Sequence, residues 1–257
     1  MIYNVFFSPT RGTRKLADSM AAALSAQLAQ PVQTIDLTPP AARGQNLALR
    51  ADDVLLFAFP VYSGRVPALL EDFIARMKGD GTPAVVLGVY GNRAFEDALL
   101  EASDLLSAGG FIPFAAAAFL AQHSHTGKVN AGRPNVHDLT EAAAFAANAA
   151  KALRAAPPQA VALPGGRPYK PRRESEPRAP KTTAACTACG VCAAVCPTGA
   201  IQPKTPAVAD TSRCIACFAC VRHCPEEAKH FADAGIAAFA AMLEKDFAQP
   251  KQPSLFL

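Results

Sequence analysis

Two residue types are missing from most of the chain: tryptophan is absent altogether, and the first 185 residues contain no cysteine. All 8 cysteines fall in two short runs near the C-terminus. If both runs bind metal, as their spacing suggests below, no thiol remains for nucleophilic or disulfide-exchange chemistry. This argues against a thiol enzyme. A long apolar run is missing too. The most apolar stretch, Phe111 to Ala121, contains Pro113 and is too short to span a bilayer. It predicts a buried strand, and no membrane span is expected.

The chain also lacks a charge excess in either of its two main parts. Residues 1–156 and residues 184–257 each carry equal numbers of acidic and basic side chains. The net charge of +4 therefore lies in residues 157–183, which hold seven prolines and predict a semi-rigid, extended linker. This basic linker either binds an acidic partner, through Arg172 and Arg173, or is simply a solvated connector. Because neither main part has a basic excess, nucleic acid is a poor candidate partner.

The length of 257 residues and a hydrophobic content of 51% suffice for one full domain and a smaller one. We expect a first domain at 1–156, the linker at 157–183 and a second domain at 184–257. The N-terminus enters an apolar, strand-like run at once, Ile2 to Phe7, without the basic region and cleavage site of an export signal. We therefore expect a cytoplasmic protein.

The second domain contains one cysteine pattern written twice, C-x2-C-x2-C-x3-C-P, with the copies 28 residues apart. Thiolates at this spacing hold [4Fe-4S] clusters, and in two-cluster proteins the fourth cysteine of each run ligates the other run's cluster. We therefore predict two clusters with crossed ligand sets. The first set is Cys186, Cys189, Cys192 and Cys224, and the second is Cys214, Cys217, Cys220 and Cys196.

Zinc sites and disulfides are the alternatives for these cysteines. Zinc sites usually need only paired C-x2-C units, and disulfides need an oxidising compartment. The full duplicated pattern therefore favours iron–sulfur clusters.

The first domain alternates strand-like and helix-like segments, which predicts a doubly wound α/β fold with five parallel strands. Ligands of such sheets bind in a crevice at the carboxyl ends of the strands. The predicted strands are Ile2 to Phe7, Val32 to Leu37, Val54 to Phe59, Ala84 to Tyr90 and Phe111 to Leu120. The predicted helices are Arg14 to Gln27, Pro67 to Met77, Ala94 to Ala108 and Asp138 to Leu153.

The loop after the first strand is rich in hydroxyl groups and opens a helix, where backbone amides can bind a phosphate. It consists of Ser8, Pro9, Thr10, Arg11, Gly12 and Thr13. The loop matches neither G-x-G-x-x-G nor G-x4-G-K-[ST], so a single phosphomonoester, as in FMN, is the better ligand prediction. A plain helix N-cap is the alternative.

Two further loops are predicted to complete a flavin site. After the third strand come Pro60, Val61, Tyr62, Ser63 and Gly64, and after the fourth come Tyr90, Gly91, Asn92 and Arg93. Tyr62 offers a flat face to an isoalloxazine ring, and Asn92 offers donors and acceptors to its pyrimidine edge. Either tyrosine could instead pack in the core.

The motifs Phe7-Ser8-Pro9-Thr10, Pro60 to Pro67 and Gly91-Asn92-Arg93, followed by the duplicated cysteine runs, resemble the flavodoxin-ferredoxin fusion proteins. The resemblance spans nearly the whole chain. It implies a flavodoxin-like domain that binds FMN, joined to a small α+β ferredoxin domain with two [4Fe-4S] clusters. It also implies low-potential electron transfer typical of anaerobic metabolism. Arg11 departs from the pattern, since flavodoxins usually carry Gly at that position.

Three residues have open roles at this stage. His123 and His125 follow the fifth strand and are expected in a polar surface loop, with contact to the flavin as the alternative. Arg65 either stabilises reduced flavin or forms a surface salt bridge. The C-terminal stretch with Ile236, Phe239, Met242, Leu243 and Phe247 predicts a docking helix.

We expect a carrier that passes electrons between FMN, the two clusters and a redox partner protein. The alternatives are a flavin reductase that acts on a small quinone, nitro compound or oxygen, and an iron–sulfur redox sensor. The sequence does not name the electron donor or acceptor, and it does not predict the oligomeric state.

Overall fold

A computed structural model describes residues 1–172 and 176–257. Its main sheet contains β1 (Ile2–Phe6), β2 (Val32–Asp36), β3 (Val54–Pro60), β4 (Thr82–Tyr90) and β5 (Phe111–Leu120). These five strands are parallel and lie in the order β2-β1-β3-β4-β5. This is the strand order of flavodoxin-like doubly wound sheets. The prediction of a five-stranded parallel sheet is therefore confirmed.

The sheet has a sixth strand that the sequence did not predict. Ser254–Phe256 pairs antiparallel with β5, so that Phe256 lies opposite Ala116. A strand of three residues is too short to show the alternation of apolar and polar residues from which strands are predicted. The main sheet is therefore built from both ends of the chain.

Helices cover both faces of this sheet. On one face lie α1 (Gly12–Leu28) and α4 (Val136–Ala155), and on the other lie α2 (Glu71–Arg76) and α3 (Ala98–Ala108). Leu16, Met20 and Leu24 of α1 are fully buried against the sheet, as their four-residue spacing predicts. Both faces of the sheet are thus apolar, which leaves its carboxyl edge as the place for polar chemistry.

The cysteine-rich part of the chain is small and mostly irregular. Its regular elements are β6 (Lys181–Thr182), α5 (Val191–Ala194), α6 (Ala219–Arg222), β7 (Lys229–His230) and α7 (Ala234–Asp246), and the tail ends in β8 (Ser254–Phe256). Strands β6 and β7 form an antiparallel pair. The duplicated cysteine runs give two short helices in matching positions, α5 and α6.

The proline-rich segment packs against the first domain. The N–H of Val161 donates to the carbonyl of Pro113 over 2.9 Å, and the carboxylate of Asp97 accepts from the N–H groups of Gly166 and Lys170. The guanidinium of Arg172 pairs with Glu101 at 2.9 Å and also with Glu71.

These contacts change the interpretation of the basic linker. The charge of Arg172 is paired within the chain, which removes the main reason to expect an acidic partner there. Arg173 lies outside the described residues. The proposed domain limits at 156 and 184 stay predictions. Among the described residues, no helix is both long and apolar enough to cross a membrane.

Helix α7 docks as its apolar spacing predicts. Ile236 and Leu243 are buried, and the ring of Phe239 contacts His123 at 5.9 Å between centroids. Glu244 accepts a hydrogen bond from the hydroxyl of Thr126 at 2.5 Å. The helix therefore fastens the C-terminal part to the loop after β5.

Replacement of Leu243 by alanine should destabilise the protein by about 2–5 kcal/mol, because a fully buried leucine leaves a cavity. The same change at Leu255, which is 44% exposed, is the matched control and should cost less than about 0.5 kcal/mol. Chemical denaturation of both variants measures the difference. Equal midpoints would contradict the docking of α7.

Candidate metal centres and the adjoining crevice

Two cavities separate the cysteines into two sets of four. The first, here called cavity I, is lined by Cys186, Cys189, Cys192 and Cys224. The second, called cavity II, is lined by Cys196, Cys214, Cys217 and Cys220. Each cavity thus takes its fourth thiol from the opposite run, as the crossed arrangement requires. The ligation itself stays a prediction.

The donor chemistry of the cavities fits iron–sulfur clusters. All 8 cysteines are free thiols. Burial raises the pKa of Cys217 and of Cys220 to about 12, so these thiols ionise only when a cation in the cavity compensates the charge. Iron supplies such compensation in a cluster.

Cys196 has a different environment from the other thiols of cavity II. Burial raises its pKa, but hydrogen bonds from the backbone at Thr198, Ile201 and Ala200 outweigh this effect, so the pKa is lowered overall. Backbone N–H groups aimed at sulfur are one of the factors that set cluster potentials.

The two cavities differ in their access to solvent. One side of cavity I is formed by the exposed residues Thr187, Ala188 and Cys189, and the buried residues Cys192, Ala228 and Lys229 lie among the rest of its lining. Cavity II lies against the first domain, where the imidazole Nε2 of His125 donates to the carbonyl of Ala216 over 3.3 Å. Cavity I is therefore at the surface. Cavity II lies against the first domain on the side of Ala216, while Ile215 of its lining is 37% exposed.

The cysteine-rich part covers the carboxyl edge of the sheet. The imidazole of His223 donates to the carbonyl of Pro9 over 3.1 Å, and the guanidinium of Arg43 donates to the carbonyl of Pro197. Arg222 donates to three carbonyls of the loop after β5, those of His123, Ser124 and Thr126, at 2.9, 3.1 and 2.9 Å. These contacts extend from the β2 side to the β5 side of the crevice.

The predicted phosphate loop lies between β1 and α1, at the crevice. Arg11 is the N-cap of α1 and has a left-handed backbone, with φ 65°, which explains why Gly is the usual residue at this position in flavodoxins. The Oγ of Ser8 accepts from the N–H of Arg14 at 2.9 Å. Thr13 is buried, whereas Thr10 is exposed. A Cβ on Gly12 would approach that of Ala121 to 3.1 Å, so the turn is tight. This loop fits the phosphate end of FMN.

The loop after β3 places its tyrosine at the covered part of the crevice. Ser63 and Gly64 have φ 53° and 81° and form a tight turn, in which Tyr62 and Arg65 exchange backbone hydrogen bonds. Tyr62 packs edge-on against Phe7 at 6.5 Å between centroids. Burial, and to a lesser extent the nearby charge of Cys217, raises the pKa of the Tyr62 hydroxyl well above its usual value. Tyr62 therefore lies close to cavity II. Pro60 ends β3, and the N–H of Val61 donates to the carbonyl of Val89.

The loop after β4 is largely occupied by other parts of the chain. Tyr90 is buried and packs against Phe95 at 5.7 Å, which is the packing role left open by the sequence. A Cβ on Gly91 would lie 2.3 Å from the imidazole of His123, so this ring fills the space that was predicted for a flavin edge. Arg93 pairs with Glu96 at 2.9 Å.

Asn92 has a different role from the predicted one. Its amide Nδ2 donates to the carbonyls of Phe247 and Gln249 at 2.6 and 2.8 Å, and its Oδ1 accepts from the N–H of Lys251 at 3.0 Å. The side chain is fully buried. It therefore holds the C-terminal tail and is not free to bind the pyrimidine edge of a flavin.

The expectation of a polar surface loop at His123 and His125 is wrong. Both histidines are partly buried. Burial, followed by the nearby positive charges of His125, Arg222 and Arg93, lowers the pKa of His123 to about 4. Arg65 forms an ion pair with Glu101 at 2.7 Å, the salt-bridge alternative.

Sequence reasoning did not find Arg222, Phe218 or His223, whose partners are distant in sequence. Phe218 could have been found by alignment of the two cysteine runs, because this phenylalanine occupies the position that Gly190 has in the first run.

Double cysteine variants test the crossed sets. Cys189→Ala with Cys224→Ala removes two thiols from one cavity and should leave about four irons per chain, whereas Cys189→Ala with Cys196→Ala disrupts both cavities and should leave almost none. Iron and sulfide analysis of anaerobically purified protein measures this. If each run instead bound its own cluster, the variant with Cys196 would keep about four irons and the variant with Cys224 would keep almost none.

Replacement of Asn92 by glycine should cost about 2–3 kcal/mol of stability, because three hydrogen bonds to the tail are lost while glycine tolerates the positive φ of 72°. Asn130→Gly is the matched control. Asn130 is also buried with a positive φ of 53°, but its side chain makes one long contact, 3.5 Å to the carbonyl of Ala121. Chemical denaturation should therefore give a clearly lower midpoint for the Asn92 variant; equal losses would refute this role.

Known proteins that are similar to the chain each match only part of it. Residues 180–226 match the family of 4Fe-4S dicluster domains. No curated protein sequence matches the chain. Similar solved structures cover only part of it. The flavodoxin of Streptococcus pneumoniae TIGR4 is 19% identical over 58% of this chain and 97% of its own, with a TM-score of 0.40. The two-electron reduced flavodoxin of Megasphaera elsdenii is 18% identical over 56% and 98%, with a TM-score of 0.37. An azoreductase from Bacillus anthracis is 16% identical over 58% and 100%, with a TM-score of 0.39.

The first part of the chain is assigned by its own strand order, β2-β1-β3-β4-β5, and the second by the family match at residues 180–226. The chain therefore combines an α/β sheet of flavodoxin-like strand order with a segment, residues 180–226, that is similar to 4Fe-4S dicluster domains.

Proposed function

We propose that the protein is an electron carrier that uses two [4Fe-4S] clusters, one in cavity I and one in cavity II, and exchanges electrons with a redox partner protein. The observation that carries this proposal is the arrangement of the cavities. Each has four thiols from the crossed runs, one cavity is at the surface, and the other lies beside the crevice of the first domain. Transfer of single electrons between clusters requires that the redox centres lie close together, and it requires no catalytic residues.

The surface beside cavity I is suited to the partner. The stretch 183–189 is mostly exposed and carries only small, uncharged side chains. Such a surface lets a partner's redox centre approach the thiols of cavity I closely, without bulky or charged groups to displace. We propose that electrons enter or leave the chain here.

We further propose FMN as the ligand of the crevice. The support is the loop Ser8 to Thr13, with its hydroxyl groups and tight turn at the start of α1. Bound FMN would supply chemistry that accepts one or two electrons. Ser8, Thr13 and the amides of the turn would hold its phosphate, and Tyr62 would contact its ring.

The contacts across the crevice bear on the alternatives. A reductase of small acceptors needs an open pocket over the flavin, whereas His223 and Arg222 fix the cysteine-rich part over this edge. A redox sensor acting through the basic linker needs free cations there, whereas Arg172 is paired with Glu71 and Glu101. The electron carrier is the function that fits these contacts.

Reductive titration of the anaerobically purified protein tests the proposal. We expect about eight irons, eight sulfides and one FMN per chain, and roughly four electrons taken up, one for each cluster and two for the flavin. Absorbance and EPR follow the titration. Two electrons with full iron and no flavin would reject FMN and retain the cluster carrier. Fewer than about eight irons would reject the two-cluster proposal.

A further inference from the structure

The duplicated motif differs at one position where the backbone is the same. Gly190 lies between Cys189 and Cys192, and Phe218 lies in the same place between Cys217 and Cys220. Both residues have a left-handed backbone, with φ 79° and 64°. A bulky side chain in this region strains the backbone, and glycine avoids that strain. The phenyl ring must therefore gain contacts that offset the strain.

The ring of Phe218 lies between the thiols of cavity II and the first domain. It lines cavity II and is 7% exposed. On one side it stacks on Phe231, with centroids 4.5 Å apart and planes at 29°. On the other side it packs against the imidazole of His125, at 4.4 Å and 33°. Stacked ring pairs stabilise a structure beyond the area that they bury, and two such pairs offset the backbone strain of Phe218.

Hydrogen bonds donated from both parts of the chain hold this stack in place. His125 donates to the carbonyl of Ala216, which lies two residues before Phe218. Arg222, four residues after Phe218, donates to the three carbonyls of residues 123, 124 and 126. Phe239 of α7 then covers His125, at 5.5 Å between centroids. Three separate segments of the chain therefore close over this side of cavity II.

Cavity I has no equivalent cover. A Cβ built on Gly190 meets nothing within 4 Å among the described residues, and the neighbouring Cys189 is exposed. The two copies of the motif thus build similar sets of four thiols but differ in their access to water.

We propose that the stack of Phe218 on His125 limits the access of water to cavity II and gives the cluster bound there a lower reduction potential than the cluster in cavity I. Reduction adds one negative charge to a cluster whose four thiolates are already anionic. Water stabilises that added charge, and an apolar, buried surrounding does not. Phe218 and His125 are positioning residues in this proposal, which rests on the proposed two-cluster function.

The test compares holo proteins by redox titration with dithionite as the one-electron source and EPR as the readout of each cluster. Phe218→Gly is the informative variant, because it restores the residue of the other copy and relieves the backbone strain. This variant should raise the reduction potential of the cluster with the lower value and leave that of the other cluster unchanged. One cluster should also bleach several-fold faster with ferricyanide.

Two variants of histidine complete the design. His125→Ala opens the stack from the first-domain side and should shift the same potential in the same direction, which also covers a failure of Phe218→Gly to fold. His125→Phe keeps the aromatic stack and should shift it less. His137→Phe is the matched control on α4, where the side chain is 80% exposed, and it should change neither potential.

Three outcomes would overturn the proposal: coincident potentials in the wild type, equal shifts of both clusters, or unchanged potentials in Phe218→Gly and His125→Ala. These outcomes, obtained with about eight irons per chain, leave the electron carrier standing. An iron content below this value in the wild type is the separate failure of the proposed function.

Discussion

The exchange of the fourth thiol between the two cysteine runs is the constraint on which the C-terminal part depends. Cys224 returns to the cavity of the first run, and Cys196 reaches the cavity of the second. Neither cavity has four thiols until both runs have folded, so the two halves of this domain form together. Little regular structure is needed, because the chain between the cysteines is held by its own turns and by the short helices α5 and α6. With so small an apolar core, bound metal would supply much of the folding free energy of this domain.

The first domain then sets where this metal-binding domain lies. A parallel sheet with helices on both faces offers one polar edge, the carboxyl ends of its strands. The cysteine-rich domain covers that edge through carbonyl groups of loops, which accept from Arg222, His223 and Arg43. Such contacts depend on backbone positions more than on side-chain identity in the loops. The cysteine-rich domain is therefore held over the rigid sheet by a few long cationic or aromatic side chains.

Much of this organisation could be predicted from sequence, and the reasons for the failures are physical. The five parallel strands and α1 follow from local periodicity, and the crossed sets of thiols follow from spacing alone. The roles of Asn92 and His123 could not be predicted, because their partners lie more than 100 residues away or on another loop, and periodicity carries no information on such pairs. Burial of His125 depends on how two domains dock, which no local pattern encodes.

The antiparallel pairing of β8 with β5 also determines how the sheet meets other chains. An open sheet has two edges with unpaired backbone groups, and either can accept a strand from another molecule. On the β5 side, residues 254–256 already occupy the backbone groups of Ala116 and Ala118. At the opposite edge β2 pairs with β1 alone among the described strands, and the first three residues of β2 are exposed. Any assembly by strand addition would therefore be directed to β2, the edge farther from β5.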